Sequence, residues 1–116
     1  MKKIYISGKI TGLSIEEYNA NFENTEQHVL EKYKKVVTFK QGGGYLCSFF
    51  QPPKVINPLN IKPFLGIKTW HGYMINDVRA LLKCDSIYMM DNWNESRGAK
   101  IEFAIALLTK KKILWG

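Results

Sequence analysis

The residues best placed to do chemistry lie between Asp91 and Glu102, in the run Asp91-Asn92-Trp93-Asn94-Glu95-Ser96-Arg97-Gly98-Ala99-Lys100-Ile101-Glu102. It leads from a strand end through a polar loop into a helix. Ser96 or Asn94 can cap that helix, Gly98 lets a ligand approach the backbone, and Glu102 falls one turn further along the same face. Ala99 and Ala106 flank Glu102 at helical spacing, so there is room for a ring or a sugar beside a carboxylate that faces a cleft. The plainer alternative makes Glu102 a solvated helix residue and Asp91 a turn residue. Trp93, in the same loop, can cover a base, plug the cleft or meet a second subunit. A second loop, Ser7-Gly8-Lys9-Ile10-Thr11-Gly12, offers backbone amides to a phosphate or a sugar hydroxyl. It is neither a Walker loop nor the full three-glycine dinucleotide fingerprint, and a strand-to-helix loop needs glycine merely to turn.

Positioning these groups requires strands and helices in alternation. Lys2–Ser7 reads as a buried strand, and a helix starts at Ser14, which forms a capping box with Glu17. Ile15, Tyr18, Phe22, Val29 and Tyr33 make its apolar stripe. Val36–Phe39 is a short strand, whereas Gln41-Gly42-Gly43-Gly44 through Pro52-Pro53 carries too many breakers for a regular element, so about 36–53 is expected to be an insertion or mobile loop. Lys54–Asn57 is a short strand closed by Pro58, and Pro63 and Gly66 keep the chain irregular up to Trp70. Then come a helix with the stripe Trp70, Tyr73, Met74, Val78, Leu81 and Leu82, a buried strand Asp85–Met90, a helix Ser96–Thr109 and a strand Lys112–Trp115. The pattern predicts one α/β domain over 1–116, a three-layer sandwich with a mostly parallel sheet of four or five strands, flavodoxin-like or Rossmann-like. Ligands in such sheets sit beyond the carboxyl ends of the strands, here Ser7–Gly12, Asn57–Asn60 and Asp91–Ser96. Trp70, Tyr73 and Met74 are read as core or dimer contacts ahead of a base-stacking platform, Asp77 as a group that caps or pairs across the sheet end ahead of a direct catalytic part, and His71 as a surface residue ahead of a substrate contact.

With 116 residues, 46% hydrophobic and 23% charged, the chain is long enough for one core. Its longest apolar runs, Ile87–Met90 and Ile101–Leu108, fall far short of the roughly 20 residues that cross a bilayer. Met1-Lys2-Lys3 leads straight into a strand and not into a signal-peptide apolar core, so no membrane association and a cytoplasmic location are expected. Cys47 and Cys84 have no Cys or His at metal-ligand spacing, and no metal and no cofactor are expected. Most of the +7 net charge is read into Lys32–Lys35 and Lys110–Lys112, ordinary solvated runs, so a nucleic-acid partner is not expected.

Tyr5-Ile6-Ser7-Gly8 with Gly12, Asn57-Pro58, Trp70, Tyr73-Met74, Asp77, Leu81-Leu82, Cys84-Asp85, Ile87-Tyr88-Met89, Trp93, Ser96, Gly98-Ala99 and Glu102 together resemble a small, mostly phage and bacterial family of unknown function. That family is similar to nucleoside 2-deoxyribosyltransferases and to nucleoside-5′-monophosphate N-glycosidases. The resemblance spans nearly the whole chain outside about 36–53. It implies that Glu102 attacks the anomeric carbon of a nucleoside or nucleotide and displaces the base, with retention. It further implies that Tyr5 orients the Glu102 carboxylate, that Asp91 meets the base or sugar, that Ser96 and Gly98 hold a 5′-hydroxyl or phosphate, and that Lys9 adds charge for a phosphate. Small relatives of this fold assemble, so a homodimer or larger homo-oligomer is expected. The alternative is a module that binds or sequesters a nucleotide in the same pocket without turnover.

Overall fold

Alternation along the first strand decides which side chains meet which helices. In β1 (Lys3–Ser7) every residue after Lys3 is buried, the signature of a central strand covered on both faces. A computed structural model describes residues 2–40, 42–44, 46–62, 64–66 and 68–115, without the side chains of Cys47 and Phe64; the expectations that touch Met1, Gln41 and Pro63 lie outside the described residues. Helix α1 (Ile15–Lys32) follows β1, then strands β2 (Lys35–Lys40), β3 (Leu46–Gln51) and β4 (Lys54–Ile56), helix α2 (Trp70–Leu82), β5 (Ser86–Met89), α3 (Arg97–Leu108) and β6 (Lys112–Trp115). Four strands form one parallel sheet in the order β4-β1-β5-β6, with Tyr5 opposite Ile56 on one side and Ile87 on the other. The result is a three-layer, Rossmann-like α/β fold.

Ile4 and Ile6 of β1 face α1, where they pack with Val29 and Phe22. Tyr5 and Ser7 point the other way, and Tyr5 joins Leu81 of α2 and Ala106 of α3 in the second core layer. The α1 start is as its sequence predicts: the Ser14 hydroxyl accepts from the Glu17 amide at 3.2 Å. Ile15, expected in the buried stripe, is 65% exposed because it sits at the first helical position, beyond the edge of the sheet-covering face. At the far end, the Lys111 ammonium donates to the Leu82 carbonyl at 2.9 Å, a cationic cap on the C-terminus of α2.

The segment expected to be irregular carries a strand. β3 pairs antiparallel with β2 in full register from Lys35 opposite Gln51 to Lys40 opposite Leu46. The glycine cluster read as a breaker is a hairpin turn, since Gly43 and Gly44 adopt φ of 87° and 88°, a region that favours glycine. Pro52 and Pro53 then release the chain into β4. Among the described residues, no helix is long and apolar enough to cross a membrane.

Candidate active site

The connections from β1 run to one side of the sheet and those from β5 to the other, so a topological switch point lies between the carboxyl ends of these two neighbours. A cavity of about 530 Å³ opens there, bounded by Gly8 after β1, Pro58 and Leu59 after β4, the first two turns of α2 and the start of α3. That volume is within the range typical of small-molecule sites, roughly 300–1,000 Å³.

Glu102 lines this cavity and is 5% exposed. Ser96 caps α3 by accepting from the Ala99 amide at 3.1 Å, which fixes the helix start and aims Glu102 back at the sheet. Because Tyr5 and Ser7 are two residues apart on one strand, they present their hydroxyls to the same face. The Tyr5 hydroxyl donates to Glu102 Oε2, and the Ser7 hydroxyl to Oε1 at 2.8 Å. Burial pushes the Glu102 carboxyl up to about 7, against the pull of these two hydroxyls toward the ionised form; the nearby Asp77 charge adds to the rise. The Tyr5 phenol is raised well above its ordinary value by burial and by Glu102, so it remains a donor.

Asp77 of α2 lines the same cavity. Burial alone raises its carboxyl to about 7, and its Oδ1 is buried with no hydrogen-bond partner among the described residues. The site therefore holds two carboxyls in unlike surroundings, one gripped by two hydroxyls and one with an orphaned oxygen. The orphan favours a proton on Asp77, and the two donors favour charge on Glu102. Asp77, read from sequence as a cap or pairing group ahead of a catalytic part, is a cavity residue.

Of the other expected site residues, Gly8, Ser96 and Gly98 line the cavity. Ser7 reaches it only through Glu102. The remaining four are turned elsewhere. The Lys9 amide donates to Asn92 Oδ1 and its ammonium lies 3.9 Å from Glu95, pinning the first loop to the loop after β5. Gly12, with φ of 90°, turns the chain toward α1 outside the cavity lining. Asp91 is exposed and borders a separate groove beside α1 with His28 and Tyr88, because the chain leaves β5 on that face. A short 3-10 turn over Trp93–Glu95 carries the Trp93 indole onto Phe103 of α3 and Trp115 of β6, with ring centroids 4.9 and 5.7 Å away. Apolar burial beneath α3 thus takes the indole that the sequence leaves free to cover a base.

Trp70, Tyr73 and Met74, expected to pack, line the cavity together with Lys68, Thr69 and Asn19. The Arg97 guanidinium lies 4.7 Å from the Trp70 ring, joining the starts of α2 and α3. His71 is exposed beside Trp70 and outside the lining, as a surface reading requires. Their spacing on α2 was visible in the sequence, but a stripe that serves a cavity has the same period as one that serves a core.

The two glycines differ in what they provide. A Cβ on Gly8 would come within 2.4 Å of Met90 Sδ and 3.0 Å of its Cβ, so Gly8 is needed for close packing between strand ends. A Cβ on Gly98 would meet nothing nearer than Met74 Sδ at 3.5 Å. The fold does not require glycine there. Gly98→Ala is expected to leave the melting temperature unchanged or slightly higher, since alanine is the better helix former by up to about 1 kcal/mol. The same change is expected to weaken ligand binding roughly tenfold, or about 1.4 kcal/mol, by filling cavity space. Thermal melts with and without ligand check both parts; a destabilised protein with unaltered affinity would make Gly98 structural.

Comparison with known proteins places residues 49–115 in the family described as "Domain of unknown function (DUF4406)", and the chain belongs to it. The match takes in Asp77, Ser96, Gly98 and Glu102, whereas Tyr5 and Ser7 precede it. No curated protein and no solved structure matches the chain.

Proposed function

We propose that this DUF4406 member is a cytosolic enzyme that cleaves or exchanges the N-glycosidic bond of a deoxynucleoside or its 5′-monophosphate, with Glu102 as nucleophile and Asp77 as acid. The observation that supports this best is a buried carboxylate held through both oxygens by Tyr5 and Ser7, facing a cavity that also contains a carboxyl with one buried oxygen unpartnered among the described residues. Glycosidic cleavage passes through an oxocarbenium-like transition state, which a fixed negative charge stabilises and a proton on the leaving group completes.

In the first step a Glu102 oxygen forms a bond to C1′ while the bond from C1′ to the base nitrogen breaks. The electron pair leaves with the base, which takes the Asp77 proton. In the second step water or another base adds to C1′ and gives its proton to Asp77, and the ester bond breaks to restore the Glu102 carboxylate. Two inversions give retention. The Ser96 side chain takes the Ala99 amide, whereas the Arg97 and Gly98 amides have no acceptor within the helix, and with the Ser96 hydroxyl and Lys68 they suit a 5′-hydroxyl or phosphate. Trp70 and Tyr73 offer ring surface to the base.

Binding without turnover is the second reading, and the near-complete burial of Glu102 favours it. Incubation with a panel of deoxynucleosides and their monophosphates, with and without a second free base, separates the two. Released or exchanged base supports the enzyme. Ligand-dependent thermal stabilisation with no base released from that ligand supports the binding module and rejects the enzyme for it.

A further inference from the structure

Counted together with the acids, the positive charge has a different location from the one suggested by the lysine runs. Between Glu31 and Asp77 the chain has seven lysines and no Asp or Glu, and the other ten Lys and Arg equal the ten Asp and Glu. The entire +7 excess therefore belongs to residues 32–76. Within that stretch β2 and β3 pair with each other and join neither edge of the four-stranded sheet.

A two-stranded ribbon standing alone is marginal in water. This one nevertheless leaves Val36, Phe39, Leu46, Phe49 and Phe50 between 44% and 71% exposed. Strand alternation puts Lys35, Phe39 and Phe49 on one face and Lys40, Leu46 and Phe50 on the other, so each face carries both a cation and a ring. The Phe39 and Phe49 rings meet edge to face at 6.0 Å, and the Lys34 ammonium sits 4.3 Å from the Phe50 ring.

The charge and the rings together restrict what can cover the ribbon. A second copy of the ribbon would set lysines against the same lysines. The acidic face of α1 would satisfy their charge through Glu16, Glu17, Glu23 and Glu31, but it is otherwise polar and offers the rings little to bury against. A bilayer calls for an apolar tip, whereas the tip is Gly42–Gly44 flanked by Lys40 opposite Leu46, and Phe50 lies at the opposite end. An extended polyanion bearing flat apolar groups complements both features along the ribbon's length.

We propose that the β2–β3 ribbon binds single-stranded nucleic acid, with phosphates on Lys35, Lys40 and neighbouring lysines and bases stacked on Phe39 and Phe49, which share one face. Single-strand binding of this kind joins a basic track to aromatic platforms and tolerates any sequence. Three phosphate contacts imply an affinity that falls about twentyfold between about 50 and about 200 mM salt.

The test is fluorescence anisotropy of the intact chain with a labelled oligodeoxythymidylate of roughly 20 nucleotides, longer than the site of one small binding module. Salt-sensitive binding is expected, weakened at least about tenfold (1.4 kcal/mol) by Lys35→Glu with Lys40→Glu and also by Phe39→Ser with Phe49→Ser. Glu102→Gln is expected to bind the oligonucleotide as the parent does, which keeps this result separate from the catalytic reading. The lysine pair lies on exposed strand positions, so it decides the matter even if the phenylalanine pair impairs folding. Absence of binding at low salt overturns the proposal, as does binding that the lysine pair leaves unaltered. Without oligonucleotide binding, a concentration-dependent doubling of mass lost in the phenylalanine pair would instead assign the ribbon to a second copy, and capture by anionic vesicles to a membrane.

Discussion

Glu102→Gln is expected to reduce base release by at least about a thousandfold and, at the same time, to raise the melting temperature at pH 8. The first effect follows from removing the nucleophile, because enzymes that lose their covalent group retain only binding and electrostatic assistance. The second follows from burial. Glu102 has an ordinary value of 4.5 and is raised to about 7 in the folded chain. Below pH 4.5 both folded and unfolded chains hold the proton and nothing is lost. Between 4.5 and about 7 the unfolded chain ionises while the folded chain resists, so stability falls as pH rises and then levels off above about 7. A rise of that size corresponds to about 3 kcal/mol. Glutamine keeps the shape, accepts from Tyr5, donates to Ser7 and has no charge to bury. Melts of both proteins at pH 5 and pH 8 check the sign: the parent is expected to lose stability toward pH 8 and the variant about half as much, the remainder coming from Asp77, which burial also raises to about 7. A variant less stable than its parent at pH 8 would show that the hydroxyl pair outweighs desolvation.

Asp77→Asn is expected to have the next largest effect, a loss of roughly a hundredfold for bases that must leave protonated, the lower end of what general acids supply. Asparagine fits the same space but cannot give a proton to the base. Glu102 must be ionised and Asp77 protonated, so activity falls below about 7 as Glu102 takes a proton and above about 7 as Asp77 loses one. The pH profile is expected to be a narrow bell centred near neutrality. In Asp77→Asn the alkaline fall is expected to disappear while the acid fall remains. A nucleoside whose base leaves readily without a proton is expected to react nearly as well with the variant as with the parent. Equal loss with all leaving groups and an unaltered pH profile would reduce Asp77 to a structural role.

Several features that position these groups are legible in the sequence. The Ser14 and Ser96 caps, the strand from Lys3 to Ser7 and the helical face shared by Gly98 and Glu102 each follow from local chemistry that tertiary packing reinforces. Ser7 as a second grip on Glu102 was also within reach, because Tyr5 and Ser7 share a face by strand alternation. Asp77 gave a weaker signal, a lone acid in an apolar stripe, which looks alike whether the stripe faces a core or a cavity. Asp91 and Trp93 were less accessible. Asp91 turns toward α1 where the chain leaves β5, and the direction of Trp93 depends on a single 3-10 turn that carries it to the underside of α3. The ribbon was hidden for another reason: glycines that allow a positive φ serve a tight hairpin as well as an irregular loop.

The most direct measurement is mass spectrometry of protein quenched in acid during turnover of a 2′-fluorinated analogue of whichever deoxynucleoside or monophosphate releases its base. Fluorine next to C1′ disfavours the oxocarbenium-like state, so the glycosyl ester formed in the first step accumulates. One sugar is expected on the peptide that contains Glu102, appearing with the first equivalent of base and absent from Glu102→Gln. Base released with no modified peptide, or a sugar on a different carboxylate, would contradict Glu102 as the nucleophile.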